Sequence, residues 1–372
     1  MQIKIKLRTC VKIKNLKLKK HIKHIIISIS AILISLVLLQ FYGNVVETNV
    51  RDFYRDKICA CDTLRFKIYK DSLGVPYVNY FSITGKHIGI QRNATSVSFA
   101  VDEYFQEIVG EKSNNGEKNT VVGDNTNNVK FQNCVNWILA NAEKQDSCLY
   151  LKYKFNWVYN LKPNWKSAMA QGLAVKTLTQ AFELSKDSIY LIKIEMFLNS
   201  FHNAVNDGGV THKISDSAWW FEEYSQENGE NPYILNGMMY ALDALYYNYS
   251  ITKNQHSKML FDKGMNALKL NLHLYDNGSE RSFYDNQKTV STEYYHQIHV
   301  DFLKKFAETT NEKIFADYYK KWSEIKPNSY LEKLFKNLNK SFVLLFVAVF
   351  VICYLIIFSL WFFVGKVCCK KS

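Results

Sequence analysis

Two stretches of the chain lack the alternation of polar and apolar positions that water-facing elements show. The run 342–364 carries no charged residue and is long enough, as a helix, to cross a hydrocarbon core of about 30 Å. The run 25–39, extended by Phe41 and Tyr42, is shorter. No small-x-small cleavage pattern follows it, the next residues being Gln40, Phe41, Tyr42 and Gly43, so it reads as an uncleaved signal anchor rather than a removable leader. Between the two runs, apolar residues recur at three- and four-residue spacing over 96–108, 135–142, 167–185, 188–205, 233–247, 255–270 and 296–310, each the length of a globular helix. The segment 64–90 is instead broken by Gly74, Pro76 and Gly85 into short extended pieces. The segment 112–130 is rich in Asn, Gly, Asp, Thr and Lys and reads as a flexible insertion.

These patterns divide the chain into a basic tail (1–23), a transmembrane helix (24–42), a small β-containing N-terminal part (43–111), the insertion (112–130), a helical catalytic domain (131–326), a juxtamembrane linker (327–340), a second transmembrane helix (341–365) and a short tail (366–372). The helical runs are joined by loops rich in Gly, Asn and aromatic residues at 207–224 and 274–295. Helical hairpins with such loops predict a mainly α fold, an α/α toroid (incomplete α/α barrel), flanked by the two transmembrane helices.

Charge decides how the basic composition is read. The net charge is +13, and twelve of those charges sit in the two tails, on Arg8 and eight lysines before the first apolar run and on Lys366, Lys370 and Lys371 after the second, with no acid in either tail. The excess therefore reports topology and not a nucleic-acid partner. Both termini are expected in the cytoplasm and the intervening mass in a periplasmic, extracellular or luminal space, with the lipid bilayer as one partner. Of the eight cysteines, Cys59, Cys61, Cys134 and Cys148 fall in that outer part, where disulfides are permitted. Cys134 with Cys148 is the first pairing expected.

The chemistry sits in five blocks. Asn164-Trp165-Lys166-Ser167-Ala168-Met169-Ala170-Gln171-Gly172 opens a helix. Trp220-Phe221-Glu222-Glu223-Tyr224 follows a Gly208-Gly209-Val210 turn, and Tyr233-Ile234-Leu235-Asn236-Gly237 starts the next helix. Leu274-Tyr275-Asp276-Asn277-Gly278-Ser279 is followed by Phe283-Tyr284-Asp285, and Tyr294-Tyr295-His296-Gln297-Ile298-His299 comes last. In this order the blocks resemble the C-terminal catalytic module of the D-glucuronyl C5-epimerases, over about 167–322. The resemblance implies an α/α toroid acting on uronic acid residues inside a polysaccharide. Inverting C5 means removing a proton α to a carboxylate and returning one from the opposite face, which needs a base, an acid and donors for the enolate-like charge. By position in the family's blocks, Glu223 and Tyr295 are the expected acid/base pair, with Tyr224 and Tyr284 as hydrogen-bonding or relay groups. Trp220, Asn236, His296 and Gln171 are expected to bind sugar hydroxyls or orient the tyrosines.

Two departures accompany the resemblance. Where the family carries an arginine to hold the uronate carboxylate, this chain has Gln287, with Arg281 and Lys288 nearby as shifted cations. Glu293-Tyr294-Tyr295-His296 also stands where the family has Trp-Asp-Tyr-His. A polysaccharide lyase, which expels the C4 substituent after the same proton abstraction, and a non-catalytic glycan-binding component of an export system are the alternative functions. Unsaturated uronate products mark the first, and binding without solvent deuterium incorporation marks the second. No cofactor and no metal are expected, because His296-x-x-His299 lacks the HExxH context and Asp276-Asn277-Gly278-Ser279 lacks the alternating acids of a calcium loop. A second copy of the chain or polysaccharide-synthesis enzymes are further possible partners. The topology is checked by fusion: a reporter at Ser372 should be cytoplasmic and one inserted within 112–130 should not, and an external C-terminus overturns the arrangement.

Overall fold

A computed structural model describes residues 21–43, 45–46, 67–80, 88–114, 126–278, 280–325, 330–332 and 340–369. The chain divides into two compact units, Met1–Ala60 with Pro327–Ser372, and Cys61–Lys326. The first element, α1 (His21–Gly43), belongs to the former unit.

The larger unit begins with an antiparallel sheet of β1 (Lys67–Lys70), β2 (Pro76–Asn79) and β3 (Ile90–Gln91). Helices α2 (Ala94–Asn114) and α3 (Thr126–Asn141) follow. A second antiparallel sheet comprises β4 (Ala142–Gln145), β5 (Cys148–Tyr153) and β6 (Trp165–Lys166). Then come α4 (Ala168–Ser185), α5 (Ile189–Asn199) and the hairpin β7 (Thr211–Ser215) and β8 (Ala218–Phe221). The remaining helices of this unit are α6 (Leu235–Thr252), α7 (Gln255–Asn271), α8 (Glu293–Thr310) and α9 (Lys313–Ser323).

The helices pack as four hairpins. Helix α2 packs on α4, α4 on α6 and α6 on α8, while α3, α5, α7 and α9 each lie against the inner helix that precedes them. This is an incomplete α/α toroid with α2, α4, α6 and α8 lining its lumen. Its inner helices need small residues where they touch. Ala168, Ala170, Gly172 and Ala174 are buried in α4, and a Cβ on Gly172 would lie 2.9 Å from the Ala241 Cα, closer than carbon atoms pack. The N-cap Ser167 accepts a hydrogen bond from Ala170 N at 3.2 Å, satisfying one of the amides that a helix start leaves open.

Gln171 is fully buried and fully used. Its Oε1 accepts from Leu151 N at 3.0 Å, and its Nε2 donates to Leu149 O at 3.0 Å and to Ser200 Oγ at 3.2 Å. The expectation that it binds a sugar hydroxyl is corrected: it brackets β5 onto α4, because a buried strand edge must find partners for its backbone. The expected Cys134–Cys148 bridge is corrected likewise. Both are free thiols, Cys134 turned to Gly74 O and Cys148 next to Asn203 Nδ2; Cys59 and Cys61 lie outside the described residues. The ends of the expected insertion that are described are helical, since α2 continues to Asn114 and α3 begins at Thr126. Packing of α3 on α2 supplies what the polar composition withholds.

In the smaller unit, α10 (Lys340–Cys369) is the last element. It and α1 contain the two windows, His21–Gly43 and Val343–Phe362, that are long and apolar enough to cross a membrane. The His24 imidazole Nδ1 hydrogen-bonds the Tyr354 hydroxyl at 2.7 Å, and the Lys23 ammonium lies over the Trp361 ring. The start of α1 therefore meets the later half of α10.

The contact between α4 and α6 generates a paired prediction. Gly→Ala in an exposed helix interior stabilises by about 1 kcal/mol, and Gly110 in α2 has open space around its Cβ position. Gly110→Ala should therefore raise the urea midpoint, whereas Gly172→Ala should lower stability by about 1–3 kcal/mol through overpacking. Equal effects of the two substitutions would show that the inner helices are not in van der Waals contact.

Candidate active site

The N-terminal ends of the inner helices meet at one end of the lumen. Thr95 at the start of α2 shares a 2.6 Å hydrogen bond with the Tyr153 hydroxyl. Ala168 N donates to Glu222 O at 2.8 Å and Leu235 N to Tyr284 O at 3.0 Å. Thr292 caps α8 by accepting from Tyr295 N at 3.3 Å. The chain segments carrying Glu223, Tyr224, Tyr284 and Tyr295 are therefore pinned to helix ends.

Glu222 does much of the pinning. It is fully buried, and its carboxylate accepts from Tyr224 N at 3.2 Å and Tyr233 N at 2.9 Å, with the His212 imidazole 3.7 Å away. The adjacent Glu223, 7% exposed, turns the other way. Asn236 Nδ2 donates to Glu223 Oε2 at 3.3 Å, and a Cβ on Gly237 would lie 2.2 Å from that same oxygen. The Asn-Gly pair at the start of α6 is thus what leaves room for the Glu223 carboxyl. Burial first, and the Glu222 carboxylate second, push the Glu223 pKa up to about 8.

The tyrosines close around it. Tyr224 and Tyr284 hydroxyls lie 3.4 Å apart, the Tyr284 and Tyr295 rings are 4.9 Å apart between centroids, and Tyr295 is hydrogen-bonded to Tyr284. Burial foremost, then neighbouring anions and hydroxyls, raise all three pKa values, Tyr224 and Tyr284 well above the ordinary phenol range. They are neutral donors at physiological pH. All four residues expected to carry the proton chemistry are thereby brought together.

The expected sugar contacts divide. Asn236 faces Glu223, and its buried Oδ1 has no hydrogen-bond partner among the described residues. Trp220 is fully buried, stacked at 5.7 Å on Tyr275, so it packs the floor instead of contacting a sugar. His296 is corrected toward its orienting role: its Nδ1 accepts from Ser282 N at 3.1 Å and its Nε2 bonds Trp322 O at 3.2 Å, which fixes α8 and with it Tyr295. His299 Nδ1 meets the same Ser282 hydroxyl at 2.8 Å, and burial pushes its pKa down to about 3. Arg281 donates to Ser291 O at 2.9 Å and holds the base of the 282–291 loop. Gln287 sits exposed at its tip, with its amide on Glu230 at 3.2 Å.

Several members of the site were not singled out from sequence. The Tyr159 hydroxyl donates to Asp285 Oδ2 at 2.6 Å, and its ring meets Tyr224 at 5.6 Å. Tyr153 stacks at 3.9 Å on Trp165, which in turn meets Tyr224 edge-on. The signal was present: Tyr153, Phe155, Trp157 and Tyr159 repeat with period two, the mark of one face of an extended chain.

A family model described as D-glucuronyl C5-epimerase C-terminus matches residues 143–324. This segment belongs to that family. The epimerase module runs from β4 to the end of α9, so β1–β3, α2 and α3 stand outside the match, and membership sets the module in an isomerase family. The chain is 28% identical over 262 residues to an uncharacterised protein of Methanocaldococcus jannaschii, covering 68% of this chain and 84% of that protein. It is 32% identical over 181 residues to the D-glucuronyl C5-epimerase of Caenorhabditis elegans, covering 44% of this chain and 29% of the nematode enzyme. Among solved structures, cellobiose 2-epimerase from Bacillus thermoamylovorans superposes with TM-score 0.45 at 10% identity, covering 82% of this chain and 86% of that one. A D-mannose isomerase gives 0.43 at 12% identity, covering 80% and 74%.

The raised Glu223 pKa predicts a pH signature of the epimerase module. Between the ordinary glutamate value of about 4.3 and about 8, the unfolded chain releases a proton that the folded one retains. Unfolding free energy should therefore fall as pH rises through that window. In urea unfolding between pH 5 and 8.5, the unmodified protein should lose a few kcal/mol relative to Glu223→Gln. Parallel pH dependences for the two would mean that Glu223 is ordinarily ionised.

Proposed function

We propose that this protein is a membrane-anchored uronyl C5-epimerase that inverts C5 of glucuronate residues, giving iduronate, within a polysaccharide. The observation that carries the proposal is the meeting of a buried carboxyl held near neutral pKa with three hydrogen-bonded phenols, each delivered by a different loop or helix start. Glu223 is the base. Its pKa lies nearest the operating pH, where a proton acceptor is most effective, and the phenols retain their protons too firmly to accept another.

Glu223 takes the C5 proton from one face of the ring. Tyr295 returns a proton from the other, and the remaining phenols and Asn236 donate toward the carboxyl oxygens as enolate-like charge develops there. The resulting Tyr295 oxyanion is stabilised by its bond from Tyr284, which Tyr224 supports in turn. Each turnover leaves Glu223 protonated and Tyr295 deprotonated, so a proton must be redistributed before the next.

The anchors fit this role. The contacts of His24 with Tyr354 and of Lys23 with Trp361 make α1 and α10 an antiparallel pair, which supports both chain ends lying on one side of the bilayer. The lysine-rich flanks favour the cytoplasm for that side. A uronate polymer made or exported at the membrane would then pass the module on the opposite face.

The test is incubation of the full-length protein in detergent with uronate polysaccharides in D₂O, a heparosan-type chain among them, followed by NMR at C5. Deuterium should enter C5 without loss of chain length. Glu223→Gln and Tyr295→Phe should each slow the exchange by about 10²-fold or more. Absence of exchange with every uronate polymer would sink the proposal, and unsaturated uronate ends would replace it with a lyase.

A further inference from the structure

Below the catalytic cluster, the lumen of the toroid holds a cavity of about 50 Å³ whose walls come from α2, α4 and α6. Three side chains on it are almost fully buried, Ser98 at 3% exposed and Thr177 and Gln180 at 1%, yet Ser98 Oγ, Thr177 Oγ1 and Gln180 Oε1 have no hydrogen-bond partner among the described residues. An unpartnered buried polar atom costs about 1–3 kcal/mol. The contrast within α4 is informative: Thr179 turns its hydroxyl back to Val175 O at 2.7 Å, as helical threonines commonly do, whereas Thr177 leaves its own facing the cavity. A polar cavity of this size has room for about one to three waters, and the three orphaned atoms supply their partners.

The cavity is flanked by carboxylates that are already paired. Asp102 accepts from Gln180 Nε2 at 2.6 Å and pairs with Lys176 at 3.0 Å, and Asp243 pairs with Lys305. It is joined to the catalytic cluster through α6. Asn236, Tyr240 and Asp243 are spaced four and three residues apart and so share one face of that helix. Asn236 holds Glu223, while Tyr240 and Asp243 line the cavity. Tyr240 is fixed edge-on between Phe99 of α2 and Phe302 of α8, and its pKa is raised by burial first and then by its neighbours Tyr294, Asp243, Glu223 and Tyr295. Tyr240 thus lies on the cavity wall one helical turn from the residue that holds Glu223.

We propose that Tyr240 and the waters held by Ser98, Thr177 and Gln180 form the proton-return path that discharges Glu223 after each turnover. The inference rests on the epimerase reading. Glu223 gives up the proton it took from C5 to the Tyr240 hydroxyl, which passes its own proton to a cavity water in the same step and so never ionises. The water chain carries the charge toward Asp243 and solvent, and one solvent proton enters the cluster to restore the Tyr295 phenol. No bond other than O–H is made or broken, and the proton count closes.

The experiment uses full-length protein in D₂O with a heparosan-type polymer, reading C5 deuterium separately in inverted and in recovered uninverted residues. Inverted residues receive the hydrogen on C5 from Tyr295. Recovered ones acquire deuterium only if the proton on Glu223 exchanges before it returns. With the unmodified protein both populations should gain deuterium together. Tyr240→Phe should cut deuterium in recovered residues relative to inverted ones by about fivefold or more and lower kcat with KM unchanged. Thr177→Val, nearly isosteric and independent of the Tyr240 ring packing, should shift the ratio in the same direction. An unchanged ratio in both variants overturns the path, as does deuterium confined to inverted residues in the unmodified protein, while either result leaves the epimerase standing. No deuterium in either population removes both.

Discussion

The buried carboxylate of Glu222 is the constraint on which the site depends. A carboxyl group buried in that position is tolerated because two backbone amides donate to its oxygens. Those same bonds tie the end of β8 to the loop that leads into α6. The Glu222 backbone meanwhile joins Val210 on one side and the first amide of α4 on the other. Removing the carboxylate would loosen the segment that carries Glu223 and Tyr224, leaving it held by the paired backbone bonds between Ser225 and Lys166 and by the Ser225 hydroxyl on Gly209 O. Glu222 and Glu223 are neighbours in sequence with opposite surroundings: one carboxyl is tied to backbone amides, and the other is turned into the phenol cluster with its pKa raised by burial.

The same division of labour runs through the rest of the module. Gln171, His296, Arg281 and Trp220 all sit in blocks that identify the family, and all are committed to backbone partners or packing. They hold β5, α8, the 282–291 loop and the floor of the cluster in register. Glu223, Tyr224, Tyr284, Tyr295 and Asn236 are the residues whose polar atoms face one another. A family block therefore mixes the groups that act with the groups that hold them, and spacing alone does not separate the two. Geometry does, because it shows which polar atoms are taken by the fold, as all those of the Gln171 side chain are, and which side chains are buried away from any ligand, as Trp220 is.

The toroid also explains why a cluster of weak acids can be stored so close together. Four inner helices present their first turns to the site, where positive helix ends favour developing negative charge. Below, small residues let α4 and α6 touch, and aromatic rings from α2, α6 and α8 pack on one another. Solvent is thus scarce at the cluster, and the pKa values rise through burial before any neighbour acts. The polar cavity lined by Tyr240, Ser98, Thr177 and Gln180 is the exception to that dryness.

Much of this was legible in the sequence. Long uncharged runs can only be apolar helices, three- and four-residue periodicity fixed the placement of most of the helices, and five ordered blocks pointed to the epimerase family and to Glu223, Tyr224, Tyr284 and Tyr295. The β7–β8 hairpin, read as loop, and α9, not marked as a helix, were hidden because short elements draw their stability from what they pack against. The free state of Cys134 and Cys148, the structural use of Gln171 and the entry of Tyr153 and Tyr159 into the site were decided only by tertiary structure. Periodicity reports which face of an element is buried, since that is a local property of the chain. Which polar atoms find partners, and which are left over to do chemistry, depends on neighbours far away in sequence, and only the folded chain brings those together.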